Sequence, residues 1–201
     1  MNIIIASSNK GKIEEIQRWL PNHNVVPYSE ILGSFEIEET GQTFQENAII
    51  KVEAIVKKLK ELKYENEYIV ISDDSGLTVE ALNNEPGLYS ARYAGLDAKD
   101  ADNNVKLITK LNEKKLAKTP AYYTACLAVA YKDEIYTTHG WMYGDVINEV
   151  RGECGFGYDP LFIPNGYADT LGILDNSVKK ELSHRSKALR LAKRIIGVIL
   201  K

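Results

Sequence analysis

The spacing of apolar residues predicts a strand and two helices in the first third of the chain. Residues 2–6 form a short β-branched run, and apolar residues then recur at helical spacing over residues 10–20, until Pro21 ends the pattern. Residues 43–62 carry an apolar stripe at helical spacing with lysines on the outer face, which predicts a long amphipathic helix. The polar stretch after the first strand is therefore the turn that opens the first helix.

The remainder of the chain alternates strand and helix patterns. Residues 77–82 are predicted as a strand, 83–87 as a turn and 103–111 as a helix. β-rich runs at 121–131 and 134–139 flank Lys132-Asp133, which predicts an antiparallel hairpin within the sheet. Strand directions are then mixed, and the pattern predicts an α/β fold in which helices flank a mixed, twisted sheet.

The C-terminal quarter begins with an irregular segment and ends with a helix. Residues 151–167 hold four glycines and two prolines, which is too irregular for a regular element and predicts a shaped loop. From Ser183 onward, apolar residues at helical spacing predict a closing amphipathic helix. No interdomain linker interrupts the chain, so we expect residues 1–201 to form a single domain.

Composition and charge narrow the classes of function. The 201 residues are 44% hydrophobic and 26% charged with a formal net charge of -3, so no overall positive field attracts a nucleic acid polymer. A small phosphorylated ligand needs only a few local cations and stays compatible. Cys126 and Cys154 show no metal-ligand spacing and are expected to be free thiols. With no basic leader and no long apolar run, we expect a cytoplasmic protein that does not enter a membrane.

Two adjacent carboxylates follow an apolar, strand-like run. That run, from Tyr68, is expected to stop at Asp73 and Asp74, before Ser75-Gly76. Because neighbouring residues of an extended chain point to opposite faces, one carboxylate would face a metal ion or water while the other braces the turn. The alternative is a solvated turn, since Asp, Ser and Gly are common turn residues.

Two further segments carry groups suited to phosphate and to a hard cation. Residues 7–12 open the first helix, where unpaired backbone N–H groups, hydroxyls and ammonium groups bind phosphate; the alternative is an ordinary N-cap. Three acids, Glu36, Glu38 and Glu39, precede the long helix that carries Lys51. One of them, paired with Asp74, would hold Mg²⁺, which takes one or two protein carboxylates together with substrate phosphates.

Two C-terminal segments are suited to a heterocyclic base. Glycines flank Phe156 and let the backbone approach a ligand closely, while the ring can stack on a purine; a buried phenylalanine in a loop is the alternative. Ser183 is expected to cap the last helix and to leave His184 and Arg185 at its first turn, presented outward as donors to a carbonyl.

Six ordered motifs resemble the non-canonical purine nucleoside triphosphate pyrophosphatases, the inosine/xanthosine triphosphatases also called Ham1-like proteins. They run from residue 3 to residue 188 and comprise Ser7-Ser8-Asn9-Lys10-Gly11-Lys12, residues 39–48 with Lys51, Ser72-Asp73-Asp74-Ser75-Gly76-Leu77, residues 86–93, Gly155-Phe156-Gly157-Tyr158-Asp159-Pro160, and Lys179 followed by Ser183-His184-Arg185. The resemblance implies an elongated, two-lobed fold and a homodimer that hydrolyses ITP, dITP and XTP to the monophosphate and pyrophosphate with Mg²⁺, cleansing the nucleotide pool.

The same resemblance implies roles for individual residues. Asp74 is expected to accept the proton and, with Glu39, to bind the metal; whether Glu38 or Glu39 lies nearer is left open. The expected substrate-binding residues are Ser7, Ser8, Asn9, Lys10, Gly11, Lys12, Lys51, Ser75, Phe156, Gly157, Tyr158, Asp159, Lys179, His184 and Arg185. Donors aimed at a 6-oxo group disfavour the 6-amino group of ATP, because buried donors would then stay unpaired.

Two alternative functions are also compatible with parts of the sequence. A Maf-like pyrophosphatase would act on modified pyrimidine triphosphates with the same metal and phosphate chemistry, but the Phe156 segment and Ser183-His184-Arg185 are typical of the purine family. A nucleotide-binding regulatory protein without activity is the second alternative, and the presence of Glu39, Asp74 and Lys12 argues against it.

Overall fold

A computed structural model describes residues 2–7, 9–64 and 66–201, including their side chains except that of Lys10. The elements are β1 (Asn2–Ile5), α1 (Lys10–Trp19), β2 (Asn24–Pro27), α2 (Tyr28–Leu32), α3 (Phe44–Glu61), β3 (Tyr68–Val79), β4 (Glu85–Pro86), α4 (Asp100–Glu113), β5 (Lys118–Tyr131), β6 (Glu134–Ile147), β7 (Phe162–Pro164), α5 (Asn176–Leu182) and α6 (His184–Ile199). Strands and helices are interspersed along the chain, as the sequence pattern predicts.

The strands form a mixed sheet, which confirms the predicted fold class. Their order is β2-β1-β3-β5-β6-β7, and the short β4 pairs with the far end of β3. β1 runs parallel to both β2 and β3, whereas β4 runs antiparallel to β3 and β7 runs antiparallel to β6. A turn at Lys132-Asp133 joins the neighbouring strands β5 and β6, as expected for the predicted hairpin.

The chain forms two compact units. The first takes in the chain as far as Asp74, together with Ala125–His139 and Ala188–Lys201. Its strands are buried on both faces: Ile3 and Ile5 lie in one apolar cluster with residues of α1 and α6, while the intervening Ile4 lies in another with residues of α3. The two-residue side-chain period of a strand produces this division, so helices cover both faces of this part of the sheet.

The second unit comprises Ser75–Thr124 and Gly140–Lys187. Its core gathers apolar residues from β3, α4, β5 and β6, among them Leu77, Leu107, Tyr123 and Val146, with Phe162 from β7. Each of these side chains is buried. α4 therefore supplies the helical layer of this unit and lies in the part of the chain that also carries the Phe156 segment.

The prediction that a strand stops at the paired acids is wrong. β3 runs without interruption from Tyr68 through Asp73 and Asp74 to Val79, and both acids are buried. A solvated turn is unnecessary because each carboxylate has a lysine partner from another element. The strand predicted at residues 77–82 is the end of β3, and its last residues form a 3-10 turn at Glu80–Leu82.

Other differences concern lengths and short elements. α4 begins three residues earlier than predicted, and β6 continues through Trp141 and Tyr143 to Ile147. Gly144 permits this continuation, because a Cβ there would collide with the backbone carbonyl of Ile163 on β7. β2, α2 and α5 have no prediction at all, and β7 lies within residues 151–167, which are predicted as a loop; each of these elements has seven residues or fewer. Short elements carry too few periodic positions to be detected from sequence.

Candidate active site

One ammonium group gathers three oxygens in the first unit. Lys51 Nζ, on α3, lies 3.0 Å from Asp74 Oδ1, 2.9 Å from Glu39 Oε1 and 3.0 Å from the carbonyl oxygen of Asp73. Lys51 and Asp74 are buried, and the Glu39 side chain is about three-quarters buried, at 27% exposure. Two carboxylates from separate segments therefore meet at one point, as the sequence predicts for Glu39, Asp74 and Lys51.

The two adjacent aspartates have different partners. The Asp73 carboxylate is fully buried and contacts Lys12 Nζ of α1 at 2.5 Å, while Asp74 contacts Lys51. Their side chains point to opposite faces of β3, as the alternation of an extended strand requires. Asp73 therefore holds Lys12 and Asp74 belongs to the Lys51 cluster, while the prediction that the two acids do different work stays a prediction.

The loop before α3 places Glu39. Thr43 Oγ1 accepts the backbone N–H of Glu46 and caps the helix, and the buried Asn47 Oδ1 accepts the N–H of Gly41 at 2.8 Å. This bond ties the loop to the first turn of the helix that carries Lys51. Glu38 is exposed, so Glu39 is the member of the acidic run that reaches the ammonium group.

Burial and the attraction between opposite charges shift the pKa values of Asp74 and Lys51 in opposite directions. Burial raises the pKa of Asp74, against the opposing attraction of Lys51 and Lys12, and nearby Glu39 raises it further. Burial by itself lowers the pKa of Lys51, but the combined attraction of Asp74 and Glu39 outweighs it and raises that pKa. Lys51 therefore stays charged, and Asp74 is a stronger base than a carboxylate in water.

The donor set suits a hard divalent cation. Asp74 Oδ2 is buried and has no hydrogen-bond partner among the described residues, and Glu39 brings a second carboxylate to the same lysine. Within residues 2–7, 9–64 and 66–201 no group of three or more His, Cys, Asp or Glu gathers as a metal site. Mg²⁺ does not need such a group, because water and substrate phosphates complete its six ligands. The residues present fit this ion.

The segment that opens α1 is an N-cap in the structure. Asn9 Oδ1 accepts the backbone N–H of Lys12 at 3.1 Å, and Ser7 Oγ accepts the N–H of Asn9 at 3.2 Å. Gly11 lies in the first turn of the helix. Capping and phosphate binding both use the backbone N–H groups of a helix N-terminus. The structure is therefore compatible with either interpretation of this segment. Ser8 and the side chain of Lys10 lie outside the described parts of the chain.

The second unit carries the Phe156 loop, which we define as residues 155–159. The Phe156 ring is 46% exposed, so the alternative of a buried core phenylalanine is wrong. Asp159 Oδ2 accepts the N–H of Phe156 at 3.3 Å and lies 3.6 Å from Lys179 Nζ. Burial raises the pKa of Asp159 to about 6, although Lys179 and the Phe156 N–H oppose the shift. The Phe156 loop is thus held in part by the carboxylate of its own residue Asp159.

The outward presentation predicted for His184 and Arg185 is wrong, although Ser183 caps α6 as expected through its bond from the Ser186 N–H. Both side chains are buried. The His184 ring stacks on Tyr123 with 4.8 Å between centroids and 9° between planes. The Arg185 guanidinium lies 5.7 Å from the centroid of the Phe156 ring and 3.0 Å from Ser75 Oγ. The sequence pattern could not reveal Tyr123, which comes from a distant strand.

The structure thus brings the candidate residues together in two groups, one in each unit. Glu39, Lys51 and Asp74 meet in the first, and Ser75, Phe156 and Arg185 in the second, where Asp159 pairs with Lys179. Gly157 and Tyr158 lie in the Phe156 loop, but the buried Tyr158 hydroxyl donates to the Ser90 carbonyl at 2.8 Å and packs inside the unit.

Sequence reasoning missed two supporting residues. The sequence marks Asp73 as one of an acidic pair, but its lysine partner lies about sixty positions away on α1. Asn47 follows Glu46 in the motif, but nothing in its spacing indicated the bond to Gly41. Each contact joins segments that only the folded chain brings together. The one local signal for this bond is the residue type and place of Asn47, an amide residue near the start of a helix and six positions after Gly41.

The chain is similar to known proteins in both sequence and structure. The chain is 58% identical over 200 residues to the dITP/XTP pyrophosphatase of Aliarcobacter butzleri, with 100% of both chains covered, and 54% identical to that of Nautilia profundicola, with 96% and 95% covered. Its structure matches that of the Staphylococcus aureus Ham1 protein with a TM-score of 0.85, 39% identity and 98% of each chain covered. The model of the Ham1 family matches residues 3–195, and the chain belongs to that family.

Proposed function

We propose that this protein is a nucleoside triphosphate pyrophosphohydrolase that cleaves dITP, ITP and XTP to the monophosphate and pyrophosphate. The observation that carries the proposal is the convergence of Glu39, Asp74 and Lys51, a set of charges suited to a metal–triphosphate complex. Family membership and relatives named dITP/XTP pyrophosphatase support it. Through this reaction the protein would remove deaminated purine nucleotides from the nucleotide pool.

Glu39 and Asp74 would hold Mg²⁺ in this proposal. The buried Asp74 Oδ2, without a hydrogen-bond partner in the described part of the chain, supports the assignment. When bound, Mg²⁺ supplies positive charge that neutralises phosphate oxygens. Lys51 holds both carboxylates close together, and its ammonium group adds charge for the phosphates.

Asp74 acts as the proton acceptor in hydrolysis. It takes a proton from the water that attacks the α-phosphorus, the bond from that phosphorus to the oxygen bridging the β-phosphorus breaks, and pyrophosphate leaves. Burial raises the Asp74 pKa and so strengthens this base. Lys12, held by Asp73, and the N-terminal N–H groups of α1 bind the triphosphate together with Ser7 to Lys10. The protein contributes position and charge, which is what phosphoryl displacement requires.

The residues of the second unit bind the base. The half-exposed Phe156 ring offers a stacking surface, and Arg185 beside it is a rigid donor for a 6-oxo group. His184, fixed by stacking on Tyr123, is the second donor. Lys179 Nζ is buried without a hydrogen bond to any described residue, and its ion pair with Asp159 is too long for one. A buried ammonium group without a hydrogen bond is destabilised, and an acceptor on the substrate would relieve this cost.

Location and assembly are part of the proposal. The two free cysteines fit a reducing compartment, which supports a cytoplasmic location. Exposed aromatic residues of β6, Trp141 and Tyr143, support a homodimer. We further propose that residues 1–201 work as one domain. No helix in the described ranges has the length and apolar character needed to span a bilayer.

Hydrolysis of a substrate panel tests the proposal. ITP, dITP and XTP should release pyrophosphate in the presence of Mg²⁺ and not with EDTA, whereas ATP and dTTP should be poor substrates. Release from modified pyrimidine triphosphates instead would favour the Maf-like alternative. Binding of ITP without turnover would indicate a regulatory protein and would refute the catalytic assignment of Asp74.

A further inference from the structure

Both backbone polar groups of Gly157, in the middle of the Phe156 loop, are held by side chains of α4. Asp100 Oδ2 accepts the Gly157 N–H at 2.6 Å, and Asn104 Nδ2 donates to the Gly157 carbonyl at 3.1 Å. The acceptor of the first bond is a carboxylate oxygen, and hydrogen bonds to carboxylates are shorter and stronger than those to neutral acceptors. Gly157 has a φ of +63°, so its two polar groups are fixed in a conformation that glycine adopts readily.

The spacing of the two side chains on α4 explains how they act together. Asp100 and Asn104 are four positions apart and so lie one above the other on one face of the helix. Asn104 is buried, which fixes its side chain, whereas Asp100 is exposed at the helix start. An amide donor and a carboxylate acceptor on one face are complementary to the carbonyl and the N–H of a single peptide residue.

The same end of α4 is itself firmly anchored. The Lys99 N–H donates to Asp102 at 2.8 Å, which closes the first turn. The buried Asn103 accepts the N–H of Ala94 at 2.8 Å and donates to the Ala91 carbonyl at 3.2 Å. The first turn of α4 is thus bonded both within the helix and to residues that precede it. α4 is therefore a fixed support for Gly157.

Phe156 depends on this support more than a core residue would. Its ring is 46% exposed, so apolar packing holds it only in part. Its backbone N–H bonds to Asp159 within the same loop, and Asp159 reaches another helix through its 3.6 Å ion pair with Lys179. The bonds from Asp100 and Asn104 join the loop backbone directly to α4, and they act on the residue next to Phe156.

We propose that Asp100 and Asn104 are positioning residues that determine how firmly the site binds the base of its substrate. The inference rests on the proposed function, since it assigns base binding to the Phe156 loop. Neither residue touches the reacting atoms in this proposal. Both act through Gly157, by holding the Phe156 ring where a purine can stack.

Kinetics with two ligands test the proposal. The KM for ITP and the inhibition constant of inorganic triphosphate, which has no base, would be measured for the wild type and for Asp100→Ala, Asp100→Asn, Asn104→Ala and Asn104→Asp. Asp97→Ala, at an exposed acid outside the contacts to Gly157, is the matched control. Thermal unfolding of every variant shows whether the fold is retained.

The expected pattern separates positioning from general damage. Asp100→Ala and Asn104→Ala should raise the KM for ITP about tenfold with the triphosphate constant changed by less than about twofold, because only the base loses support. Asp100→Asn, which keeps an acceptor oxygen, should recover most of the affinity. Asn104→Asp, which turns an acceptor toward the Gly157 carbonyl, should not. The control should resemble the wild type.

Three results would overturn the inference. One is an unchanged KM for ITP in folded Asp100→Ala and Asn104→Ala proteins. Another is an equal loss of affinity for ITP and inorganic triphosphate, which indicates a structural role. The third is an Asp100→Asn variant as impaired as Asp100→Ala. If either alanine variant fails to fold, the two isosteric variants decide. Absence of ITP hydrolysis by the wild type would instead refute the proposed function itself.

Discussion

Lys51 shows how a single buried cation organises the charges of the first unit. Its ammonium group lies within 3.0 Å of two carboxylates and a carbonyl, so it replaces much of the water that these oxygens lose on burial. The remaining Asp74 oxygen has no hydrogen-bond partner among the described residues. Two carboxylates around one ammonium group, with one acidic oxygen left without such a partner, are suited to a ligand that brings a cation.

Asp74→Asn should abolish turnover and keep substrate binding. The amide retains the shape of the carboxylate and cannot accept the proton, so we expect kcat for ITP to fall by about 10² to 10⁴. The dissociation constant of ITP, measured by calorimetry without turnover, should change far less. Asp133→Asn, at an exposed acid paired with Lys60, is the control and should keep full activity. Substantial turnover in the Asp74 variant would contradict its role as the base.

Asp159→Asn should make the protein more stable at neutral pH. Burial raises the pKa of Asp159 from 3.8 to about 6, so the folded state binds this proton more tightly than the unfolded state. Its contribution to stability is present below a pH of about 4 and is lost as the pH rises through about 6. The variant should therefore gain roughly 1 to 3 kcal/mol of unfolding free energy at pH 7.

The pH dependence provides the check on Asp159. Denaturant unfolding of the wild type and of Asp159→Asn should converge as the pH falls from about 6 to about 4, where the native carboxyl is protonated. The same variant should bind ITP more weakly at pH 7, because it loses the ion pair with Lys179 and weakens the acceptor for the Phe156 N–H. A constant difference in stability across this pH range would contradict the assignment.

At the scale of elements, the loop before α3 depends on a glycine. A Cβ on Gly41 would lie 2.6 Å from Asn47 Oδ1 and 2.8 Å from the Asn47 backbone nitrogen. Gly41→Ala should therefore displace the loop that carries Glu39, lower the unfolding free energy by about 1 to 3 kcal/mol and raise the Mg²⁺ concentration needed for half-maximal activity.

Gly197→Ala is the matched control for that substitution. Gly197 lies in α6, where an added Cβ meets nothing within 4 Å. Alanine should stabilise this helix by about 0.5 to 1 kcal/mol and leave the Mg²⁺ requirement unchanged. If Gly41→Ala behaved like Gly197→Ala, the close approach of the loop to Asn47 would have no consequence for the site.

Long periodic elements could be predicted from the sequence, and the path of β3 could not. The stripe of residues 43–62 predicts α3 within one residue at each end, because its apolar positions repeat over five turns. β3 contains Asp73 and Asp74, which favour a turn locally. Their lysine partners come from α1 and α3, so the strand continues for a reason that lies elsewhere in the chain.

The same limit applies to the candidate site. Which segments contribute could be predicted, because the motifs have a recognisable order and residue type. The partners of these residues could not be predicted. The sequence predicts His184 and Arg185 at the surface, but a tyrosine of β5 and a serine of β3 hold them inside the second unit. The positions of these partners follow from the sheet order, which the helix and strand periods alone do not determine.

At the scale of the whole molecule, the exposed aromatic residues of β6 bear on assembly. Trp141 and Tyr143 are 42% and 57% exposed, and Tyr143 is in ring contact with Tyr122 of β5. Charged substitutions at both positions should shift the proposed homodimer to a monomer in sedimentation velocity, because aromatic residues at the centre of an interface contribute most of its binding energy. Tyr64→Glu, at a residue of similar exposure after α3, is the control. An unchanged sedimentation coefficient in the double variant would exclude this surface as the interface.

The most direct test of the account is pyrophosphate release from ITP, dITP, XTP, ATP, GTP and dTTP, each with Mg²⁺ and with EDTA. We expect fast release from ITP, dITP and XTP that requires Mg²⁺, and slow release from the other three. Equal release from ATP and ITP, or release that persists in EDTA, would contradict the roles assigned to the Phe156 loop and to the Glu39–Asp74 pair.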